Sequence, residues 1–367
     1  SLRAKVISVI INKLVFKPGL SLSEFIDADL LKGVFRLDVF QSMRKHVGKF
    51  FHHSHLQQLM EFPVLFLGAM PDKIPALYSL MNFADIKGGT WFPAGGIYSI
   101  VQAMHTLAEE NGAAFQFNED VTEIVLKGST ASAVKTAAGN LYEADAVLGA
   151  ADYHFVETKL LPPDYRTYTD DYWNSRIMAP SCLLYYVGIN KKLKNVLHHS
   201  LFFDTSFEQH GKEIYETKQW PQDPLFYVSA TSVTDDSTAP QGCENLFFLI
   251  PAAAGLTNDS EELREHFFQL IVKRFEERTG EKISDSIIFK KSFAQSDFIN
   301  EYNAFKGNAY GLANTLLQTA ILKPKCRSKK VKNLFFAGQL TVPGPGVPPS
   351  IISGEVTAKQ IQKFFAE

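Results

Sequence analysis

The residues best suited to chemistry lie near the end of the chain, from Asn333 to Phe365, in NLFFAGQLTVPGPGVPPSIISGEVTAKQIQKFF. Leu334 to Ala337 form a short apolar run, as expected of a strand covered on both faces. Gly338 ends the run without a side chain, and Pro343, Gly344, Pro345 and Gly346 punctuate a turn. Pro348 and Pro349 suit the first turn of a helix, where a missing N–H costs nothing. Ile352, Val356, Ile361, Phe364 and Phe365 then supply an approximately helical apolar face. A helix start carries free N–H groups and partial positive charge, so it attracts negative charge. The chemistry on offer is to hold part of an anionic or electron-accepting group. The same residues also suit a strand–turn–helix that binds nothing, a common unit of α/β domains. The stretch from Gly344 to Pro349 begins like the dinucleotide fingerprint G-x-G-x-x-G, but Pro stands at the third glycine place. No second strand with a ribose-binding acid follows Phe365, so it reads as a decoy for that fingerprint.

Motifs of self-sufficient catalysis are missing: there is no G-x-S-x-G, no H-E-x-x-H and no C-x-x-C. Acids are scattered. Asp297 and Glu301 are candidate bases only, and a structural salt bridge suits each better. His52, His53 and His55 lack partners at metal-ligand spacing and read as a solvated or locally bonded cluster. Such a chain fits an enzyme whose hard chemistry is carried by a cofactor.

The positioning elements can be read in order. Residues 1–80 look mainly helical, with Ser23 or Asp27 as caps and Pro18-Gly19 as a break. Leu56 to Met70 is a dense apolar patch, either core or a wall for an apolar ligand. Gly88-Gly89 and Gly95-Gly96 permit a tight backbone path. Ile97, Ile100, Val101, Met104, Leu107 and Ala108 share a helical face that Gly112 closes. Phe115–Phe117 and Val121–Leu126 read as strands, followed by a hairpin of Ala131–Thr136 with Leu141–Tyr142 and by a buried strand over Ala144–Ala150. Cys182–Ile189, Ser200–Phe203, Leu225–Ala230 and Asn245–Ile250 suggest one mostly antiparallel sheet, with Ile287–Phe293 as a further strand. Between them a helix opens at Asp259 or Ser260 and ends at Gly280. Phe305–Leu322 carries Gly307, Asn308, Gly311 and Asn314 before a short apolar helix through Leu317. The basic run KPKCRSKKVK from Lys323 to Lys332 reads as a solvated loop or a contact for anionic lipid headgroups.

Composition sets bounds. A chain of 367 residues can bury a large core in two lobes. The formal net charge of −2 argues against nucleic acid. Cys182, Cys243 and Cys326 are odd in number and far apart, which suggests reduced thiols. No run approaches the roughly 18–20 apolar residues of a membrane span, and no leader pattern is visible. Any membrane contact is expected to be peripheral.

NLFFAGQLTVPGPGVPPSIISGEVTA strongly resembles the C-terminal signature of bacterial-type phytoene desaturases and related carotenoid desaturases. GGTWFPAGGIYSIVQAM at Gly88–Met104, FNEDVTEI at Phe117–Ile124, ADAVLGAAD at Ala144–Asp152 and FKGNAYGLANTLLQTAILKP at Phe305–Pro324 agree with it. The resemblance runs, with gaps, over essentially the whole chain. It implies an α/β (mixed α+β) fold of the amine-oxidase-like flavoprotein type: a partial FAD lobe plus a mostly antiparallel substrate lobe. The division it implies is 1–80 for a helical, membrane-facing part, 81–152 for part of the FAD lobe, 153–304 for the substrate lobe and 305–367 for the return to the FAD lobe.

The implied activity is FAD-dependent introduction of C=C bonds into phytoene or a related acyclic carotenoid, in the cytoplasm at the membrane periphery. The implied cofactor contacts are Val121 beside the adenine, Gly338 and Gln339 near the pyrophosphate and ribityl chain, and Gly346, Val347 and Pro348 at the turn before a helix aimed at the flavin. Many relatives have an acid where Gln339 stands, so a neutral hydrogen bond is expected there. A carotenoid isomerase, a later-acting desaturase and a non-catalytic carotenoid- or lipid-binding fragment remain alternatives. The family opens with a G-x-G-x-x-G unit that is not found in these residues, and Ser1-Leu2 read as a cloning remnant. The expectation is therefore a truncated form with little turnover by itself, a weakened hold on FAD and some self-association.

Overall fold

A computed structural model describes residues 15–21, residue 24 and residues 41–367. The proposed caps Ser23 and Asp27 lie outside the described residues. In chain order the main elements begin with α1 (Met43–Gly48), α2 (Ser54–Glu61), α3 (Ser79–Phe83) and α4 (Tyr98–Glu110). Four strands follow: β1 (Val121–Lys127), β2 (Thr130–Thr136), β3 (Leu141–Glu143) and β4 (Val147–Gly149). Next come α5 (Tyr153–Lys159), α6 (Asp170–Asn174), β5 (Ser181–Ile189), β6 (His199–Phe202), α7 (Phe207–Lys212), β7 (Phe226–Ser229) and β8 (Glu244–Ala252). The chain closes with α8 (Glu261–Thr279), β9 (Ile287–Phe293), α9 (Gln295–Tyr302), β10 (Leu334–Phe336) and α10 (Val347–Ala366). It divides into two compact units, one of Ser1–Lys87, Asn118–Pro180 and Ile299–Glu367, the other of Gly88–Phe117 and Ser181–Phe298.

In the first unit β10 pairs in parallel with β4, Leu334 opposite Val147 and Phe336 opposite Gly149. All three residues of β10 are buried, as its unbroken apolar run requires. Strand β4 is shorter than the buried strand expected over Ala144–Ala150, has no buried residue and leaves Leu148 exposed. Leu334 and Phe336 join Tyr153, Val156, Trp173 and Leu340 in one core cluster. Asn333 ties this pair to the antiparallel β1-β2-β3 sheet: its Oδ1 accepts the Ala131 amide at 2.8 Å, and its Nδ2 donates to the carbonyls of Ala131 and Asp145. Asp152 caps α5, and its second oxygen accepts the Phe305 amide at 3.1 Å, which fixes where the returning segment enters. A smaller core joins Met43, Val47, Val64, Leu67 and Ile74, so the second half of the Leu56–Met70 patch is core.

In the second unit five antiparallel strands run in the order β6-β7-β8-β5-β9. The inward residues Leu183, Tyr185, Val187, Phe226, Val228, Leu246 and Phe248 pack on Phe268, Ile271 and Phe275 of α8. Ser260 caps that helix and Gly280 closes it in the left-handed conformation.

Several expectations are corrected. Phe115–Phe117 is not a strand, because it has no hydrogen-bonded neighbour strand among the described residues. The helix expected through Leu317 is two single 3₁₀ turns, Leu316–Gln318 and Ala320–Leu322. The basic run is not uniformly solvated: Lys323, Cys326 and Val331 are buried, while Lys329, Lys330 and Lys332 face solvent. No residue of α4 is buried, and its Tyr98, Val101, Met104 and Leu107 are exposed. Among the described residues no helix is long and apolar enough to cross a membrane.

Candidate functional site

The loop from β10 to α10 is built around backbone that only glycine adopts readily. Gly338 has φ +116°, and a β-carbon placed on it would meet nothing within 4 Å, so the main chain borders open space. Its amide donates to Ser353 Oγ at 3.0 Å, and Thr357 Oγ1 donates to the Phe336 carbonyl at 3.0 Å. Two hydroxyls one helical turn apart thus fasten α10 to the strand it follows. The residues that α10 buries are Ser353, Val356 and Thr357, and Phe365 of the expected apolar face is exposed. Small side chains let this helix approach closely, and their hydroxyls satisfy backbone groups that burial would otherwise strand.

Gln339 turns back into the protein. Its Nε2 donates to Asn308 Oδ1 at 3.0 Å, and the same oxygen accepts the Gly311 amide at 2.8 Å. A β-carbon on Gly311 would stand 2.7 Å from the Gln339 carbonyl oxygen, so Gly311 makes the close approach possible. Gly346 caps α10 with φ +113°, and Pro348 is the second helical residue. Pro348 and Pro349 have no N–H, so of the first three helical residues only Val347 has an amide proton to offer. The partial positive charge of the helix end remains. Val121 opens β1 opposite Thr136 and packs on the cluster containing Phe336 and Leu340. The structure therefore places Gly338, Gln339 and Gly346 on one loop, Val347 and Pro348 in the first turn of the helix that follows it, and Val121 on a separate sheet that packs on the same core cluster.

Two further residues at this loop escape sequence reading. The side chain of Lys323 is buried, at 2% residue exposure, and that of Asn314 at 6%. Among the described residues Lys323 Nζ and Asn314 Oδ1 have no hydrogen-bond partner. Both face Gly344: a β-carbon there would lie 3.4 Å from Nζ and 3.5 Å from Oδ1. Burial pulls the Lys323 ammonium down to a pKa of about 8. Nothing in the spacing of KPKCRSKKVK marks its first lysine as different from the rest.

Other candidates settle into structural roles. Asp297 accepts the Ala294 amide and pairs with Arg264 at 2.8 Å, and Arg264 also pairs with Asp259 at 3.1 Å. Glu301, expected in a salt bridge, lies exposed on α9 and forms none among the described residues. His53 Nδ1 accepts the His55 amide at the start of α2. Cys182, Cys243 and Cys326 are free thiols, and burial pushes Cys182 up to about 12 and Cys326 up to about 11.

Residues 23–362 match the model of the flavin containing amine oxidoreductase family. The chain belongs to that family. It is 38% identical over 356 residues to a carotenoid 3,4-desaturase of Haloarcula japonica, covering 97% of this chain and 72% of the relative. It is 30% identical over 359 residues to a zeta-carotene-forming phytoene desaturase of Myxococcus xanthus, covering 96% of this chain and 68% of the relative. Among solved structures it is similar in fold to a putrescine oxidase, with a TM-score of 0.59 at 11% identity over all of this chain and 74% of that one. The amine-oxidase-like α/β fold expected from the sequence is the fold observed.

The residues fit a flavin of this family on three counts. Gly338 offers main chain beside open space. The start of α10 offers partial positive charge. Lys323 and Asn314 offer buried polar atoms with unfilled hydrogen-bonding capacity.

Proposed function

We propose that this chain is an FAD-dependent oxidoreductase of carotenoid biosynthesis that introduces C=C bonds into phytoene or a related acyclic carotenoid. The observation that carries this reading is the 38% identity to a carotenoid 3,4-desaturase across 97% of the chain. When bound, FAD supplies a hydride acceptor; the second hydrogen leaves the neighbouring carbon as a proton.

The first unit would hold FAD: Val121 through its backbone at the adenine, Gly338 and Gln339 at the pyrophosphate and ribityl chain, and Gly346, Val347 and Pro348 at the ring. Gln339 acts there as a neutral hydrogen-bonding group, its side chain already committed to Asn308. A hydrocarbon offers no polar handle, so the protein must orient it by shape and apolar contact. The sheet face opposite α8 in the second unit supports this. Tyr186 and Phe247 pack at 5.4 Å and Phe247 and Tyr227 at 6.5 Å; Tyr186 is exposed and the other two are half-buried. An aromatic wall of this kind suits a polyene.

Peripheral membrane contact in the cytoplasm is part of the proposal, because an acyclic carotenoid resides in lipid. The exposed Tyr98, Val101, Met104 and Leu107 of α4 support it. Exposed Ile288 and Phe289 on the edge strand β9 support self-association. The higher identity to the 3,4-desaturase than to the phytoene desaturase favours a second reading, a later desaturation step. The test is to incubate the chain with FAD and liposomes carrying phytoene or zeta-carotene and to separate the products by chromatography. A more desaturated carotenoid is expected, and the substrate consumed identifies the step. Carotenoid recovered unchanged, or recovered only as a geometric isomer, would overturn the proposal.

A further inference from the structure

We propose that Lys323 and Asn314 form a polar grip on the flavin ring, with the Lys323 ammonium set against the negative charge that the ring carries after hydride uptake. This rests on the flavin reading of the first unit and assigns a contact outside the residues that the family resemblance singles out.

A buried ammonium with no partner is among the least favourable groups a protein can contain. Among the described residues Lys323 Nζ makes no hydrogen bond, and Asn314 Oδ1, an acceptor beside the same glycine, is bonded neither to it nor to another group. Burial lowers the Lys323 pKa, and among the described residues no carboxylate offsets it.

The surroundings hold the side chain in place. The Lys323 amide donates to the Ala320 carbonyl at 3.1 Å, the Asn314 amide donates to the Leu67 carbonyl at 2.7 Å, and Thr341 Oγ1 donates to the carbonyl of Pro324 at 2.7 Å. The backbone on either side is satisfied and only the side-chain ends are not. Those ends converge on Gly344, where a β-carbon would lie in van der Waals contact with both and cover them. Gly344 lies two residues before the cap of α10, so the ammonium and the positive helix end serve the same turn.

A ligand for this place must bring an acceptor for the ammonium and a donor for the Asn314 oxygen. The pyrimidine edge of the isoalloxazine ring carries both, a ring N–H between two carbonyls. Hydride uptake adds one negative charge to that ring system, and a charge-assisted hydrogen bond there strengthens on reduction.

Lys323→Met keeps the length and removes the charge; Lys323→Arg keeps the charge. The chain and both variants are titrated with FAD and with riboflavin, which lacks the pyrophosphate. The two-electron potential of the bound flavin and the melting temperature of the flavin-free chain are also measured. Lys323→Met is expected to weaken both FAD and riboflavin by roughly tenfold, the loss expected of a charge-assisted hydrogen bond. A further tenfold loss for the reduced form lowers the potential by about 30 mV. Lys323→Arg is expected to restore the potential. The flavin-free Lys323→Met chain is expected to melt higher than the parent, a gain that a structural lysine would not show. Unchanged affinity and potential in Lys323→Met, or a loss for FAD but not for riboflavin, would overturn the ring contact and leave the flavin reading intact. Failure of the parent chain to bind either flavin would overturn both.

Discussion

The Gly338 amide donates to Ser353 Oγ at 3.0 Å, joining the residue that follows strand β10 to the second turn of helix α10. The loop between them is thereby closed by one side chain. Ser353→Ala leaves the Gly338 N–H without its partner and is predicted to cost about 1–2 kcal/mol in chemical denaturation. It should also weaken FAD several-fold, because the loop loses its fixed path. Ser353→Thr, which keeps the hydroxyl, is the control.

Gly338 itself is predicted to be irreplaceable for cofactor binding. At φ +116° a β-carbon is strained at a cost of roughly 1–3 kcal/mol, even though it meets no atom. It would also project into the space proposed for the cofactor. Gly338→Ala should therefore lower FAD affinity by more than its modest effect on melting suggests. Titration of flavin fluorescence against the melting temperature of the same sample separates the two.

Lys323 makes stability depend on pH in a definite direction. Its folded pKa is about 8 against 10.5 in the unfolded chain, so between these values the unfolded chain binds more protons. Stability then rises as pH increases from about 8 to about 10.5, and below that window the full cost, roughly 3 kcal/mol, is present. The comparison of denaturation midpoints for the parent and Lys323→Met across pH 7 to 11 isolates this contribution. The rise should vanish in the variant.

His154 acts at the acid end. Its ring lies 4.0 Å from that of Phe305, and burial holds its pKa down to about 4. A base whose folded pKa lies below the unfolded value loses stability as pH falls from about 6.5 to about 4. Asp152 and Glu157 on the same helix are pushed up by burial and act in the opposite sense. His154→Phe, which keeps an aromatic ring against Phe305, should flatten the histidine part of the acid limb in urea titrations.

The legible parts of this fold are those in which local pattern and tertiary role coincide. Strand β9 falls at Ile287–Phe293 as read, and α8 begins after Ser260 and ends at Gly280, because cap chemistry is local. The strand–turn–helix of β10 and α10 was visible for the same reason. What escaped depends on neighbours. Phe115–Phe117 has the composition of a strand but, among the described residues, no hydrogen-bonded partner strand. Ser353 and Thr357 read as polar interruptions of an apolar face, yet they make the contact, since hydroxyls can serve buried backbone groups. Lys323 belongs to a run of basic residues and differs from Lys329 and Lys330 only in being folded inward. Of the cofactor loop, sequence showed the glycines and prolines that shape it and hid the polar atoms that would face a ligand.

Asp297 tests the division between structure and chemistry. Its carboxylate bridges Arg264 and the Ala294 amide. Asp297→Asn is predicted to cost about 1–2 kcal/mol in stability, the scale of a charged hydrogen bond in a largely buried pair whose Arg264 keeps Asp259 as a second partner, with desaturation per folded, flavin-loaded molecule retained. A collapse of turnover with flavin still bound would assign it a role as the base.

The most direct test is an anaerobic titration of the FAD-reconstituted chain with an acyclic carotenoid in liposomes, following flavin absorption and product together. The prediction is loss of the oxidised-flavin band in step with a more desaturated carotenoid, one new double bond for each flavin reduced. Flavin that stays bound and oxidised while the carotenoid is recovered unchanged would contradict the assignment of this chain as a carotenoid desaturase.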